Sequence, residues 1–450
     1  MSRLMIGISG VRGVVGENLT PELLVNLGQA FGTWTESGKV VVGRDTRVSG
    51  DMVKHAVFSG LLSAGCRIVD VGVCGTPSAA MMVSKVKADG GIVISASHNP
   101  IEWNALKFFR SDGVYLNQEQ GRQLLDIYYG GDAVKVAYDK LYAVETDNGA
   151  VDNHLYKVLD LVDIPALRKR KFRVALDCCN GAGSVLACRF LDEVGCETAK
   201  IYCDMNGLFE RNPEPTRANV TKLLDIVRQH RADVGFAQDA DADRIALISE
   251  KAEYIGDEYS LCLAAKYRLS QLKGQVVTNL STTRMIDDVA AEYGCKVLRT
   301  PVGEVNVAET MLDIGAVVGG EGNGGVIDPR IHYGRDALTG MAMMLQLMLE
   351  TGKTMSELAA EIPTYQMVKL KTTVSKRSIS KVLKRINEEK ADNVDNRDGV
   401  KLDFSDGWVH VRASNTEPIV RVYAEARTSE RANQLANHYM ELVEQLSGDK

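Results

Sequence analysis

Residues 95–100, which read Ser-Ala-Ser-His-Asn-Pro, combine two hydroxyls, an imidazole and an amide ahead of a proline. They follow residues 90–94, a short apolar run that begins with two glycines and is predicted to be a buried strand. We expect such a loop to hold Ser97 on a rigid scaffold yet leave it exposed, as a nucleophile requires. The alternative is a plain turn, because Ser, Asn and Pro are common turn residues.

Three carboxylates alternate with alanine in residues 239–244, Asp-Ala-Asp-Ala-Asp-Arg, between two apolar runs. In an extended chain, Asp239, Asp241 and Asp243 would point to one side and repel one another unless a cation neutralised them. Hard oxygen ligands at this density favour Mg²⁺. An EF-hand is excluded because Arg244 occupies the position of its glycine, whereas a solvated acidic loop remains the alternative. Arg244 is placed to hold an anion that also touches the metal.

A glycine-rich stretch, residues 319–325, follows an apolar run and contains Glu321 and Asn323. Its glycines allow the backbone to approach a ligand closely, and the two polar side chains can bind sugar hydroxyls. The absence of a Lys-Ser/Thr pair excludes a nucleotide P-loop. A flexible loop is the alternative.

Residues 412–418, Arg-Ala-Ser-Asn-Thr-Glu-Pro, place hydroxyls, an amide and a guanidinium around one turn, with Arg421 shortly after. This set of donors suits a phosphate dianion, although a helix cap or an edge turn would use similar residues. Arg12, among glycines near the N-terminus, and Lys107, ten residues after Ser97, are further candidates to reach a ligand. Either is equally compatible with a surface charge.

Composition limits the classes of function. The chain has 450 residues, 45% of them hydrophobic and 25% charged, with a net charge of −6. These values are typical of a multidomain globular protein and give no reason to expect nucleic acid or a membrane surface as a partner. The N-terminus lacks the pattern of a signal peptide, and the nine cysteines show no zinc-ligand spacing, so we expect reduced, buried thiols in a cytoplasmic protein.

One strand–helix–strand pattern occurs three times, at about residues 39–71, 172–202 and 275–298. Each copy has Gly-Cys between the helix and the second strand, and the glycine fits the position that follows a helix C-terminus. A unit of this length is a βαβ motif with parallel strands. The repetition predicts three similar α/β domains with mixed sheets.

The C-terminal part differs, because residues 401–412 read as a β-hairpin that turns at Asp406-Gly407. A further strand near 419–424 and amphipathic helices near 379–389 and 430–446 predict a smaller α+β domain. We therefore divide the chain into domain I (1–150), domain II (151–252), domain III (253–365) and domain IV (366–450).

Taken together, the four loops resemble those of the α-D-phosphohexomutase family, in the family's order and over essentially the whole chain. Residues 95–100 match its serine loop, 239–244 its metal loop, 320–324 its sugar loop and 412–418 its phosphate loop. The chain departs from the family pattern with Ala240 in place of glycine, Asn323 in place of serine, and Gly325 where many members have histidine.

The resemblance implies a heart-shaped molecule in which one loop from each domain meets in a central cleft. It implies phosphoryl transfer between O6 and O1 of a hexose phosphate through phosphorylated Ser97 and a hexose 1,6-bisphosphate. Asp239, Asp241, Asp243 and the phosphoserine would hold Mg²⁺, with Arg244 assisting on the same phosphate. Lys107 and Arg12 are candidates for proton transfer, His98 for shaping the serine loop, and Glu321 and Asn323 for orienting the sugar. The residues expected to grip the non-reacting phosphate are Arg412, Ser414, Asn415, Thr416 and Arg421.

The resemblance places glucosamine phosphate first as the substrate, ahead of mannose and glucose phosphates. Two other classes remain open at this point: a Mg²⁺-dependent serine phosphatase, and a sugar-phosphate-binding protein without catalysis. The phosphate loop argues against the first, and the intact serine, aspartates and Lys107 argue against the second. The oligomeric state cannot be read from the sequence.

Overall fold

The computed structural model describes residues 4–7, 10–414 and 419–447. It contains three α/β units followed by a smaller α+β unit, each with its own sheet, so the predicted fold class is confirmed. Within the described ranges, no helix combines the length and the apolar character needed to cross a membrane. All nine cysteines are described and unpaired; five are buried and four are partly exposed.

Domain I has a seven-stranded mixed sheet in the order β1-β2-β6-β5-β3-β4-β7. Its strands are β1 Met5–Gly7, β2 Gly10–Val14, β3 Lys39–Arg44, β4 Arg67–Val73, β5 Gly90–Ile94, β6 Trp103–Arg110 and β7 Glu145–Thr146. Its helices are α1 Pro21–Trp34, α2 Gly50–Ser63, α3 Thr76–Lys85 and α4 Gln118–Gly130. The serine loop joins β5 to β6, in the centre of the sheet.

Domain II has the sheet order β12-β11-β10-β8-β9. Its helices are α5 Ala150–Leu159, α6 Ile164–Arg170, α7 Ser184–Glu193 and α8 Thr221–His230. Its strands are β8 Arg173–Asp177, β9 Glu197–Ile201, β10 Val234–Gln238, β11 Ile245–Ser249 and β12 Tyr254–Gly256. The acidic loop joins the antiparallel strands β10 and β11.

Domain III has the sheet order β14-β13-β15-β16. Its helices are α9 Glu258–Gln271, α10 Met285–Glu292, α11 Glu304–Ile314, α12 Ala337–Thr351 and α13 Met355–Ala360. Its strands are β13 Val276–Asn279, β14 Val297–Thr300, β15 Val318–Glu321 and β16 Gly325–Ile327. The glycine-rich loop lies between β15 and β16.

Domain IV is an antiparallel sheet in the order β17-β21-β20-β19-β18 with two helices. Its elements are β17 Gln366–Thr373, α14 Lys376–Asn387, β18 Asn393–Asp395, β19 Val400–Phe404, β20 Gly407–Ala413, β21 Ile419–Ala426 and α15 Ser429–Ser447. The predicted hairpin is confirmed, with β19 and β20 flanking its turn.

The three βαβ predictions are confirmed, since β3–β4, β8–β9 and β13–β14 all pair in parallel. Gly65, Gly195 and Gly294 follow the helices of these units with φ of 82°, 74° and 68°. An L side chain at this left-handed position would be strained, which explains the repeated glycine.

The four domains do not each have a separate hydrophobic core. A single apolar cluster includes residues of β8, α7 and β10 in domain II together with α9 and α12 in domain III. Domain I has a cluster on each face of its sheet, and domain IV has its own. Domains II and III therefore share a core, which fixes the acidic loop relative to the glycine-rich loop.

Candidate active site

A cavity of about 630 Å³ lies where the four domains meet, and side chains from all four line it. The predicted site residues that line it are Arg12, Ser97, His98, Lys107, Arg244, Glu321, Asn323, Arg412 and Arg421. The three aspartates lie directly behind Ser97 and Lys107. Among the described residues, the lining does not include Ser414, and Asn415 and Thr416 lie outside the described residues.

Ser97 occupies a strained turn at the cavity wall, with φ of 50°. Its hydroxyl donates a hydrogen bond to Asp239 Oδ2 at 2.6 Å, and its N–H donates to Ser95 Oγ at 2.9 Å. The residue is only 2% exposed. The expectation of an exposed serine is therefore wrong: Ser97 reaches the cavity while packing against the acidic loop.

Arg47, which the sequence did not single out, holds the serine loop from below. Its guanidinium donates to four carbonyl oxygens, those of Ser97, Asn99, Pro100 and Trp103, at 2.6–2.9 Å. It also pairs with Asp45 at 3.0 Å, and both side chains are fully buried. Residues 44–47, Arg-Asp-Thr-Arg, form a polar run where β3 ends, but nothing in this run indicates which distant carbonyls Arg47 binds.

The acidic loop is a turn, so the expectation of an extended segment is wrong. Ala242 has φ of 57°, and the turn directs the carboxylates of Asp239, Asp241 and Asp243 inward. One ligand oxygen of each lies within 4.8 Å of the others, and all three residues are buried. The backbone N–H groups of Asp243 and Arg244 donate to Asp239 Oδ1 at 3.2 Å, which closes the turn.

Three cations partly offset the buried negative charge; one of them is Arg244, whose Nε lies 3.7 Å from Asp243 Oδ1. Lys107 Nζ lies 2.5 Å from Asp241 Oδ2 and 3.4 Å from Asp243 Oδ2. Arg335 Nη2 lies 2.7 Å from the same oxygen of Asp243. Burial, the largest single effect, opposes the charge of Lys107, but Asp241, Tyr115 and Asp243 together outweigh it and raise the pKa of the lysine. Burial also opposes the charge of Asp243, yet Arg335 and Lys107 lower its pKa.

The remaining oxygens of this cluster fit a divalent cation. Asp241 Oδ1 and Asp243 Oδ1 are buried and have no hydrogen-bond partner among the described residues. Burial, followed by the charges of Asp243 and Asp241, raises the pKa of Asp239 well above its ordinary value. A hard cation would supply the missing partners and relieve the repulsion, so this donor set suits Mg²⁺.

His98 is adjacent to Ser97, with its Nδ1 3.4 Å from Ser97 Oγ. The charge of Arg244, burial, and the charges of Arg12 and Arg335 lower its pKa well below the ordinary value. The imidazole is therefore neutral at neutral pH, in a pocket of guanidinium groups suited to an anion.

The glycine-rich loop presents Glu321 at the end of β15. Its Oε1 accepts from Asn279 Nδ2 at 2.8 Å, and its Oε2 accepts from Arg335 Nη1 at 3.1 Å and Asn323 Nδ2 at 3.3 Å. Gly320 has φ of 148°, and a Cβ there would lie 2.0 Å from the Gly325 carbonyl oxygen, so the loop requires glycine. Glu321 thus lines the cavity with both carboxylate oxygens held by hydrogen bonds.

Arg412 and Arg421 are register partners on β20 and β21, so domain IV directs two guanidinium groups to one side of the cavity. Arg412 Nε donates to Asp398 Oδ2 at 3.0 Å, and the same oxygen accepts from the N–H of Val302 in domain III. Asp398 therefore links the phosphate loop to domain III.

Sequence reasoning missed several polar residues around the cavity. Arg335 is the most connected of them, and Thr76 donates through its N–H and its hydroxyl to Asp241. Asn279 and Ser281 line the cavity beside the sugar loop. None lies in a recognisable motif, although the short, mostly polar run Asn-Leu-Ser-Thr-Thr, which begins with the last residue of β13, is a signal that could have indicated Asn279 and Ser281.

Four domain families of phosphoglucomutase/phosphomannomutase match the chain in turn. The α/β/α domain I matches residues 3–134, domain II 152–253, domain III 256–365 and the C-terminal domain 367–442. Together these matches cover most of the chain and include all four loops that form the cavity.

Two curated relatives are similar over nearly their full length. The chain is 38% identical to a "Phosphoglucomutase/phosphomannomutase" of Thermococcus kodakarensis, covering 98% of each protein. It is 38% identical to a "Probable phosphoglucosamine mutase" of Methanopyrus kandleri, covering 97% of each. The fold matches the crystal structure of a phosphoglucomutase/phosphomannomutase family protein from Burkholderia thailandensis with a TM-score of 0.87, at 24% identity, covering 99% of this chain and 98% of that one.

Proposed function

The chain belongs to the α-D-phosphohexomutase family, and we propose that it interconverts hexose 6-phosphate and hexose 1-phosphate with Ser97 as the phosphoryl carrier. The observation that carries this proposal is the position of Ser97 Oγ, 2.6 Å from Asp239 within the acidic cluster, on a cavity that also presents Glu321, Arg412 and Arg421. The proposed phosphoryl carrier, the carboxylate proposed to bind the sugar and the two arginines proposed to bind phosphate therefore line one cavity. The volume of that cavity suits a sugar phosphate.

The first transfer breaks the bond between phosphorus and Ser97 Oγ and forms a bond to the free hydroxyl oxygen of the hexose phosphate. The hydroxyl proton ends on Ser97 Oγ, which then donates to Asp239 Oδ2 as in the structure. The resulting hexose 1,6-bisphosphate turns in the cavity and returns its other phosphate to Ser97. Two similar transfers thereby replace one difficult step.

Lys107 and the arginines provide the charge that these transfers require. The raised pKa of Lys107 keeps it a cation and makes it a weak acid, which supports charge stabilisation by this residue over proton transfer. Arg244 and Arg12 face the cavity beside His98, where they can contact the transferring phosphoryl group. Mg²⁺ held by Asp239, Asp241, Asp243 and the phosphoserine would supply neutralisation of the charge on that group.

Glu321 and Asn323 are proposed to orient sugar hydroxyls, while Arg412, Arg421 and the loop residues Ser414, Asn415 and Thr416 hold the phosphate that is not reacting. Glucosamine phosphate is the first choice of substrate, supported by the name of one relative; mannose and glucose phosphates are supported by the name of the other. The nine unpaired cysteines support a reducing compartment such as the cytoplasm.

The test is to incubate the purified protein with Mg²⁺ and the 1-phosphates of glucosamine, mannose and glucose in parallel. We expect a hexose 6-phosphate to form, fastest from glucosamine 1-phosphate. Release of free phosphate would instead indicate a serine phosphatase, and no product from any sugar would indicate a binding protein.

Ser97→Ala should abolish turnover and remove the phosphorylated form from the intact-mass spectrum while leaving the melting temperature nearly unchanged; near-normal turnover would refute the covalent scheme.

A further inference from the structure

Arg335 connects carboxylates from three separate segments at the cavity wall. Its Nη2 lies 2.7 Å from Asp243 Oδ2, its Nη1 3.1 Å from Glu321 Oε2, and its Nε 2.9 Å from Glu304 Oε2. The residue is 8% exposed, so these pairs are shielded from solvent. A planar guanidinium with each nitrogen on a different carboxylate has little freedom to reorient.

The backbone of Arg335 is itself anchored by the residue that follows it. Asp336 caps the N-terminus of α12 and accepts from His154 Nε2 at 2.7 Å, while His154 Nδ1 bonds to Ser78 Oγ at 2.8 Å. His154 and Ser78 are fully buried. The first N–H of α12 donates to the carbonyl oxygen of Ala242 in the acidic loop. Contacts from α3, α5 and α12 therefore fix the backbone position of Arg335.

This geometry lets one side chain set the orientation of two functional carboxylates. By holding Asp243 through Oδ2, Arg335 leaves Oδ1 for a cation. That oxygen has no hydrogen-bond partner among the described residues, although Arg244 Nε lies 3.7 Å from it. By holding Glu321 through Oε2, it leaves the carboxylate braced between itself and Asn279. The two carboxylates belong to the metal loop and the sugar loop, respectively.

We propose that Arg335 is a positioning residue that couples the sugar loop to the metal loop, so that hexose phosphate and Mg²⁺ bind cooperatively. The inference rests on the proposed function, because it requires both ligands in this cavity. A ligand that binds at one end of the guanidinium bridge selects the orientation of the carboxylate there, and the shared, rigid guanidinium carries that orientation to the carboxylate that the second ligand meets. The coupling must be reciprocal: each ligand strengthens binding of the other by the same factor.

Two substitutions distinguish the effect of the three-way contact that Arg335 makes with carboxylates from the effect of its positive charge. Arg335→Lys retains the positive charge but has one nitrogen, which cannot span all three carboxylates. Arg335→Met removes the charge and keeps an unbranched stem. The matched control is Arg330→Lys in the same loop, where the arginine pairs with Asp328 and is not part of the cavity lining.

Binding is measured without turnover, by placing each substitution in a Ser97→Ala background. Isothermal titration calorimetry gives the Mg²⁺ affinity with and without saturating glucosamine 6-phosphate, and the affinity for that sugar phosphate with and without Mg²⁺. Mannose 6-phosphate and glucose 6-phosphate are tested in the same way. We expect coupling of about fivefold or more in the parent and in the Arg330→Lys control, in both directions. In Arg335→Lys the coupling factor should fall to about one, although each ligand still binds.

The possible results distinguish this inference from the proposed function. If the coupling factor in Arg335→Lys equals that of the parent, or if the parent shows no coupling, the proposed role of Arg335 is refuted while the proposed function stands. Failure of all three hexose 6-phosphates to bind the parent would overturn the function and the bridge together. The melting temperature of each variant identifies loss of folding; if Arg335→Met does not fold, the lysine variant and the parent still decide the outcome.

Discussion

Replacing Arg47 with lysine tests how the serine loop is held in place. The guanidinium donates to the carbonyl oxygens of Ser97 at 2.8 Å, Asn99 at 2.7 Å, Pro100 at 2.6 Å and Trp103 at 2.9 Å. Its Nε also pairs with the buried Asp45 at 3.0 Å. Lysine keeps the charge but offers a single nitrogen, so it can satisfy only part of this set.

The magnitude follows from the contacts that are lost. If three of the five bonds are not replaced, charge-assisted hydrogen bonds of about 1.5–3 kcal/mol each would sum to roughly 4.5–9 kcal/mol. Entry of water and relaxation of the loop reduce this sum, and broken buried ion pairs typically cost about 3–5 kcal/mol. We therefore expect the free energy of unfolding to fall by an amount in the lower of these two ranges, about 3–5 kcal/mol. Turnover should fall by roughly 100-fold or more, because a nucleophile displaced by about 1 Å loses its alignment.

Urea denaturation followed by tryptophan fluorescence is a suitable assay, since Trp34 and Trp103 both belong to domain I. We expect an earlier unfolding transition together with the loss of turnover. The control is Arg110→Lys, because Arg110 pairs with Asp112 and Glu309 at a partly exposed position where such pairs contribute about 1 kcal/mol or less. An Arg47→Lys protein with the wild-type transition and wild-type turnover would refute the reasoning.

Three further predictions follow from the site and from domain IV. Asp241→Asn should lower turnover by roughly 100- to 1,000-fold and weaken its dependence on Mg²⁺, as measured by Mg²⁺ titration of the rate. Arg421→Ala should raise KM by roughly 10- to 100-fold through loss of a charge-assisted contact, and added hexose 1,6-bisphosphate should partly restore turnover by rephosphorylating Ser97. Lys401→Met should stabilise domain IV more at pH 6 than at pH 9, as measured by thermal unfolding. Burial, then the charge of Arg299, lowers the pKa of Lys401 to about 7, so its cost to folding is full below pH 7 and declines as the pH rises toward the unfolded value of about 10.5.

Each of these predictions has a result that contradicts it. Full activity of Asp241→Asn in the presence of a chelator would remove the metal assignment. Wild-type KM and no response to bisphosphate in Arg421→Ala would show that domain IV does not hold the substrate phosphate. A stability gain independent of pH in Lys401→Met would mean that lysine ionisation is not its cause; the control is Lys384→Met on the exposed face of α14.

Local chemistry was sufficient to predict the domain architecture. The alternation of apolar runs with amphipathic stretches identified the βαβ units, and the glycines at 65, 195 and 294 marked the helix ends because only glycine tolerates the left-handed backbone there. The four loops were recognisable for a similar reason: hydroxyls, carboxylates, glycines and guanidinium groups at fixed spacing carry their chemistry in the sequence itself. The residue types of the candidate site could therefore be predicted, although their roles stay predictions.

The tertiary structure decided how these segments meet. Asp239 lies far along the chain from Ser97, yet packing of domain II on domain I brings their oxygens to 2.6 Å. The acidic loop turns instead of extending because the N–H groups of Asp243 and Arg244 bond to Asp239 and because Arg335 and Lys107 hold Asp243 from other domains. Long-range contacts of this kind have no local pattern, since any buried arginine needs partners but its own sequence does not specify them. For that reason Arg47 and Arg335, and the core shared by domains II and III, could be identified only once the chain was folded.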